Sequence, residues 1–183
     1  SEHNERILKY SSRVRDILTK FRIAVIRKHA EHLEHLILES FTHLLHKRAL
    51  VTDLKINPST FGLELTGSDG KPLPLDRLSN GEQQLLATAI LWGLAKASGR
   101  PLPTIIDTPL GRLDSSHRRN LLDRYFPVAS HQVILLSTDE EVDEASFARL
   151  KPHISRSYSF AFDEKSHSTT IKEGYFWNHE STR

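Results

Sequence analysis

The sequence predicts an α/β fold: a mostly parallel sheet flanked by helices, with a long N-terminal helix standing apart as a coiled-coil stub. Three observations predict it. Residues 2–48 contain neither Gly nor Pro and carry apolar residues at helical spacing. Two short apolar runs, Thr104–Ile106 and Gln132–Leu136, flank a helical pattern, which is the strand–helix–strand order of a parallel sheet. The first of those runs ends at a carboxylate, Asp107, and the second in Ser137-Thr138-Asp139.

The elements follow in order. From Ile7 the apolar residues Val14, Leu18, Phe21 and Val25 recur in heptad-like steps, and Leu33, Ile37, Phe41 and Leu44 continue the stripe with a drift in register at His29. A helix to Arg48 would be about 65–70 Å long at 1.5 Å per residue, long for a domain of this size. The organisation expected is therefore a coiled-coil stub over 1–48 and a folded lobe over 49–183. Val51–Ile56 and Phe61–Thr66 read as short strands around the turn Asn57-Pro58-Ser59. Lys71–Arg77, with Pro72 and Pro74, reads as a loop. A helix over Gly81–Ser98 would bury Leu85, Leu86, Ala89, Ile90, Leu94 and Ala97, with Trp92 also in the core, and Gly99-Arg100-Pro101 would stop it. Thr104–Ile106 and Gln132–Leu136 are expected as buried strands, Ser115–Tyr125 and Glu140–Leu150 as helices, and Ile154–Phe162 with Thr169–Lys172 as a final hairpin.

Composition narrows the function. The 183 residues are enough for one well-buried core, and 38% hydrophobic with 26% charged residues argues against a disordered chain. A net charge of +2 does not by itself predict nucleic-acid binding. No apolar run reaches the roughly 18–20 residues of a membrane-spanning helix, so no membrane partner is expected. The absence of Cys removes disulfides, thiolate nucleophiles and Cys-based zinc sites. There is also no Met, even at position 1, and the expectation is that the sequence is a piece of a longer chain.

Four segments carry chemistry. Ser79 and Glu82 form a capping-box pattern, but that leaves Gly81, a poor helix former, unexplained in the first turn. A Gly there lets a phosphate approach the amides of a positive helix N-terminus. Asp107 ends an apolar strand where a nucleotide-binding sheet holds Mg²⁺; the plainer alternative is an Asp opening a turn before Pro109. Leu110-Gly111-Arg112-Leu113-Asp114 follows directly, and Ser137–Glu141 ends the second strand.

Their order and spacing resemble the C-terminal lobe of SMC-type ABC ATPase heads over about Ser79–Val142. Leu78–Gln83 resembles the signature motif, Ile105–Pro109 Walker B, Leu110–Asp114 the D-loop and Ser137–Glu141 the switch region. Asp107–Asp114 with Leu136–Glu141 is most similar to the DndD group, the SMC-like ATPases of bacterial DNA phosphorothioation systems. The resemblance implies ATP and Mg²⁺ as cofactors. Ser79, Asn80, Gly81, Glu82 and Gln83 would meet ATP held by an opposing head. Asp107 would orient Mg²⁺ through water. Gly111, Arg112 and Asp114 would act across the head–head interface, and Ser137 and Thr138 would form the switch. It also implies a cytoplasmic, bacterial setting near the nucleoid, a role in DNA modification and phage defence, and as partners a second head, DNA and other DNA-sulfur-modification proteins.

None of the eight glycines fits G-x-x-x-x-G-K-[ST]: the single Gly-Lys pair, Gly70-Lys71, precedes Pro72. The phosphate loop is thus expected on an N-terminal Walker A lobe of the same protein, and ATP hydrolysis only when the two combine. Two positions depart from the family pattern. Thr108 stands where a Glu usually positions water, and Thr138 where a His is common; Thr is no general base at neutral pH. Asp139 or Glu140 could supply the carboxylate; the alternative is a head that turns over slowly, with ATP mainly controlling closure. The first signature Gly is Asn80, which also suits a cap. Two other functions stay open: a head of a double-strand-break-repair or RecF-like ATPase, and a non-catalytic coiled-coil interaction module.

Other residues have plainer readings. His29, His32, His35, His43 and His46, with Glu39, have ligand-like spacing but are expected as solvated helix positions. Arg112, Arg118, Arg119 and Arg124 read as a solvated face, with DNA-backbone contact as the alternative. Phe176 and Trp177 are expected to pack on the sheet, or to form a partner surface if exposed.

Overall fold

Helix α1 (Glu2–Leu44) changes character along its length. Every side chain from Lys9 to Val25 is exposed, including the heptad-spaced Val14, Leu18 and Phe21. From Glu34 onward one stripe is buried: Ile37, Ser40, Phe41 and Leu44. The first half therefore has an apolar seam without cover among the described residues, and the second half is a core helix. The computed structural model describes residues 2–45, 50–111 and 113–176; the side chains of 2–5, 7 and 8 lie outside that description. The expected helix residues 46–48, and His46 among them, fall outside it too.

The chain divides into two units, residues 1–100 and 101–183. In the first, β1 (Val51–Ile56), β2 (Leu63–Gly67) and β3 (Pro72–Leu73) form an antiparallel sheet in that order. The buried Glu34 ties α1 to it: its Oε1 accepts from the Ile56 amide at 2.8 Å and its Oε2 meets Lys55 Nζ at 3.2 Å. The loop expected over 71–77 instead holds β3 and a 3₁₀ turn, Leu75–Arg77. Pro72 lies on the sheet edge, where its missing N–H costs no ladder bond. Phe61 lies outside β2, with a φ of +56° and 72% exposure.

Helix α2 (Asn80–Ser98) packs on α1 and buries Leu85, Leu86, Ala89 and Trp92. Gly93 lets the two helices approach closely: a Cβ there would stand 2.7 Å from Ile37 Cγ1 and 3.1 Å from the Ile37 amide nitrogen. The buried face turns toward Trp92 and Gly93, which leaves Leu94 46% exposed and Ala97 at the surface; the core expectation for those two is corrected. Lys96 Nζ lies 4.4 Å from the Trp92 ring centre, and His43 meets the same ring edge-on at 5.9 Å. His29, His32 and His35 are exposed.

In the second unit β4 (Thr104–Asp107) and β5 (Val133–Leu136) are the parallel pair, with Thr104 opposite Val133 and Asp107 opposite Leu136. They are not the fully buried strands expected. One face is open: Ile105 is 64%, Ile134 39% and Leu136 45% exposed, while the alternate residues Ile106, Val133 and Leu135 are half-buried. Helix α3 (Ser115–Asn120) runs into a wide π turn, Leu121–Tyr125, in which Phe126 N donates to Leu121 O at 3.0 Å. Leu121, Leu122, Tyr125 and Phe126 form the apolar centre of the unit. Helix α4 (Glu144–Leu150) starts four residues later than expected, because Asp143 caps it by accepting from Ser146 N at 2.8 Å. β6 (Tyr158–Asp163) and β7 (Ser168–Glu173) form the expected antiparallel hairpin. The fold is α/β, with one parallel pair and the remaining described strands antiparallel.

Candidate functional site

Parallel pairing places the carboxyl ends of β4 and β5 side by side. The pairing extends one residue beyond β4: Thr108 N donates to Leu136 O at 3.0 Å. Asp107, Thr108, Gly111, Arg118, Leu136, Ser137, Thr138, Glu140 and Glu141 therefore line one open cleft of about 500 Å³. This is the sheet edge where ligands bind in α/β folds. It unites the sequence-predicted Asp107, Thr108, Gly111, Ser137 and Thr138. Asp139 lies in the same turn but outside the lining; Glu140, the other carboxylate candidate, is within it. Arg112 lies outside the described residues.

Thr108 is the strained residue of the cleft. Its φ is +52°, a left-handed conformation that costs a β-branched residue roughly 1–2 kcal/mol. Its hydroxyl faces Asp107 Oδ1 at 3.4 Å. Its methyl explains Gly111: a Cβ at Gly111 would stand 2.9 Å from Thr108 Cγ2.

Two residues that hold the cleft together have no role assigned by the sequence reading: Glu141, at the end of the Ser137–Glu141 segment, and Tyr175. Glu141 is buried, and its Oε1 accepts from Leu110 N at 2.6 Å and Gly111 N at 2.7 Å. Tyr175 reaches back from beyond β7. Its hydroxyl meets Ser137 Oγ at 3.2 Å and approaches the carbonyls of Val142 at 3.1 Å and Thr138 at 3.3 Å. Its ring stacks on Phe147 at 4.5 Å. Burial raises the Tyr175 phenol above its ordinary pKa, opposed by the Ser137 hydrogen bond and aided by the charges of Asp139, Glu141 and Asp143. The sequence signal for Glu141 is its place at the end of the Ser137–Glu141 segment; Tyr175 has none, being 37 residues from Thr138. Phe176 meets Tyr175 edge-on and is 39% exposed, whereas Trp177 lies outside the described residues.

Asp114 caps α3, accepting from Ser116 N at 2.9 Å and His117 N at 2.8 Å. These bonds, the His117 amide foremost, hold its carboxyl below the usual range. Arg118 is not simply a solvated residue: its Nε donates to Leu113 O at 3.2 Å, and it lines the cleft. Arg119 is exposed.

The remaining predicted residues lie in the first unit. Ser79 and Glu82 form the full capping box: Glu82 N donates to Ser79 Oγ at 3.3 Å, and Ser79 N donates to Glu82 Oε2 at 2.8 Å. Asn80 and Gly81 open the helix. Gln83 Nε2 donates to the carbonyls of Leu75 at 2.9 Å and Leu78 at 3.3 Å, fastening the helix start to the preceding turn.

The donor set fits a nucleotide-bound Mg²⁺ only in part. Among the described residues no group of three His, Asp or Glu side chains could hold a metal ion. Asp107 is an exposed single carboxylate, suited to a hydrated ion whose other ligands come from elsewhere. No helix among the described residues is long and apolar enough to cross a membrane.

No family model matches the chain, and no curated protein sequence matches it. Solved structures do resemble it. An SMC ATPase chain from work on ATP-driven dimerization and DNA-stimulated activation is 16% identical, with 83% of this chain and 88% of that chain covered and a TM-score of 0.60. An SMC head domain with a coiled coil and joint from Pyrococcus yayanosii is 16% identical over 86% of this chain and 29% of that one, TM-score 0.64. An SMC head domain from Thermotoga maritima is 14% identical over 79% and 48%, TM-score 0.53. The chain thus has the fold of the C-terminal lobe of an SMC head, and it spans less than half of the last two structures.

Proposed function

We propose that this chain is the C-terminal lobe of an SMC-like ATPase head, in which 1–48 is the coiled-coil stub and 49–183 the lobe. One observation carries the reading: Asp107, Thr108, Gly111, Ser137 and Thr138 meet in one cleft at the carboxyl end of the parallel strands. The lobe lacks a phosphate loop, and its apolar face at Ile105, Ile134 and Leu136 suits cover by the N-terminal Walker A lobe.

In the combined head, Mg-ATP supplies the phosphoryl group to be transferred to water. Asp107 would hold a hydrated Mg²⁺ through water. Thr108 and the Ser137–Thr138 turn shape the cleft wall. Glu140 or Asp139 takes the proton of the attacking water, since Thr108 and Thr138 do not ionise at neutral pH. The α2 N-terminus, with Ser79, Asn80 and Gly81, would meet ATP on an opposing head, where the helix dipole and free amides favour phosphate. Gly111, Arg112 and Asp114 bear on that opposing head. Catalysis is then positioning and charge stabilisation.

The biological setting we infer is DNA phosphorothioate modification, with phage defence as its outcome. A second head, DNA and the sulfur-modification proteins are the partners, in the bacterial cytoplasm. Thr108 and Thr138 favour this DndD-like setting over a double-strand-break-repair or RecF-like head, in which Glu and His are expected.

The test is reconstitution. The chain alone should show no ATP turnover, and mixing with a Walker A-bearing N-terminal lobe should give turnover and ATP-dependent dimerisation. Turnover by the chain alone would refute the split-head reading, and no ATP-dependent dimerisation with the lobe would favour a non-catalytic interaction module. Within the active head, Glu140→Gln and Asp139→Asn identify the proton acceptor: only the variant of the true acceptor should lose turnover by about a hundredfold or more.

A further inference from the structure

We propose that Glu141 is a positioning residue that locks the Leu110–Gly111 turn to the Thr138–Glu141 turn, so that the two change conformation together. Glu141 is 8% exposed, and a single oxygen accepts from two successive backbone amides at 2.6 and 2.7 Å. Such charge-assisted bonds are about twice as strong as neutral ones. The same residue grips the second turn through its own backbone: Glu141 N donates to Thr138 Oγ1 at 3.3 Å, closing a local loop with the Val142 N to Thr138 O bond at 3.2 Å. One side chain thus spans 31 residues of sequence between Leu110 and its own position.

The clamp also accounts for the strain at Thr108. Gly111 is held against the Thr108 methyl, with room for a hydrogen and none for a Cβ. Thr108 N is fixed to Leu136 O on its other side. Pinned from both sides, Thr108 keeps a left-handed backbone that a β-branched residue otherwise avoids. A movement of the switch turn would pull on Leu110 and Gly111 through Glu141, and so on the segment leading to Asp114. Glu141 is therefore the joint through which the cleft and the Leu110–Asp114 segment sense each other, rather than the proton acceptor.

Gln separates the two roles. Glu141→Gln cannot take a proton, yet its amide oxygen can accept both bonds. Glu141→Ala removes both. The first readout is amide hydrogen exchange at Leu110 and Gly111 in the 183-residue chain, which needs no nucleotide. Exchange should be slow in the parent and in Glu141→Gln, and faster by about tenfold or more in Glu141→Ala. If Glu141→Ala fails to fold, Glu141→Asp replaces it: the carboxylate is one methylene short of the amides, and the same rise is expected. The second readout rests on the ATPase reading: in the reconstituted head, Glu141→Gln keeps turnover within about threefold, and Glu141→Ala lowers kcat with little change in KM. Unchanged exchange in the Ala or Asp variant overturns the clamp. Loss of turnover in Glu141→Gln with both amides still protected overturns the positioning role and makes Glu141 the acceptor. A parent head without turnover defeats the ATPase reading alone, because exchange still decides the clamp.

Discussion

Gly93 has no room for a methyl group. Its would-be Cβ meets the Ile37 amide nitrogen at 3.1 Å and Cα at 3.2 Å, which are backbone atoms that cannot rotate away. Helix propensity favours Ala over Gly by about 1 kcal/mol, but overpacking costs roughly 1–3 kcal/mol. Gly93→Ala should therefore destabilise the chain in urea unfolding, and a gain in stability would refute the close helix approach. A second prediction concerns acid. Asp114 and Asp143 have carboxyl pKa values lowered by hydrogen bonds, foremost from the His117 amide and from Ser146 respectively. A lowered folded-state pKa means that the stabilisation is complete above the unfolded value, near pH 4, and is lost as pH falls further. Asp114→Asn still caps but does not titrate, so its acid unfolding should be shallower below about pH 4 than that of the parent. Identical acid limbs would remove Asp114 from the linkage. Hydrogen-bond partners are legible in the sequence only where they are local. The Ser79–Glu82 box spans three residues and is legible; Glu141 with Leu110 spans 31 and is not.

Among elements, α2 is the most legible, because its start and stop are written in local chemistry: a Ser-x-x-Glu box before it and Gly99 after it. Ser79→Ala removes a cap that accepts one orphan amide and positions Glu82 for another. The expected cost is about 1 kcal/mol in urea or thermal unfolding. A neutral result would mean that Gln83, which fastens the same helix start to Leu75 and Leu78, holds it alone. Helix α4 was less legible. Glu140, Glu141 and Val142 have helical propensity, but tertiary contacts draw Glu141 to Leu110 and Thr138, and the helix starts only after Asp143. The strands β4 and β5 were correctly located, and their burial was not: apolar composition shows that a face needs cover, not that the cover is present.

At the scale of the molecule, the exposed half of α1 and the core half are energetically separate. Every described side chain before Ile26 is exposed, so deleting residues 1–25 should leave the unfolding midpoint of the remainder nearly unchanged. The same deletion should abolish helix-mediated association driven by Val14, Leu18 and Phe21, read by sedimentation. A large loss of stability would show that the seam is used within the chain.

By itself the sequence determined the α/β class, the long helix, the order of the motifs and the missing phosphate loop, all of which depend on periodicity, capping and spacing within short stretches. Tertiary structure alone decided which residues share the cleft, why Gly111 is glycine, and what Glu141 and Tyr175 hold. Those depend on which distant backbone amides and carbonyls come to lie within hydrogen-bond reach. Pairing of β4 with β5 sets that distance, and no local pattern encodes it.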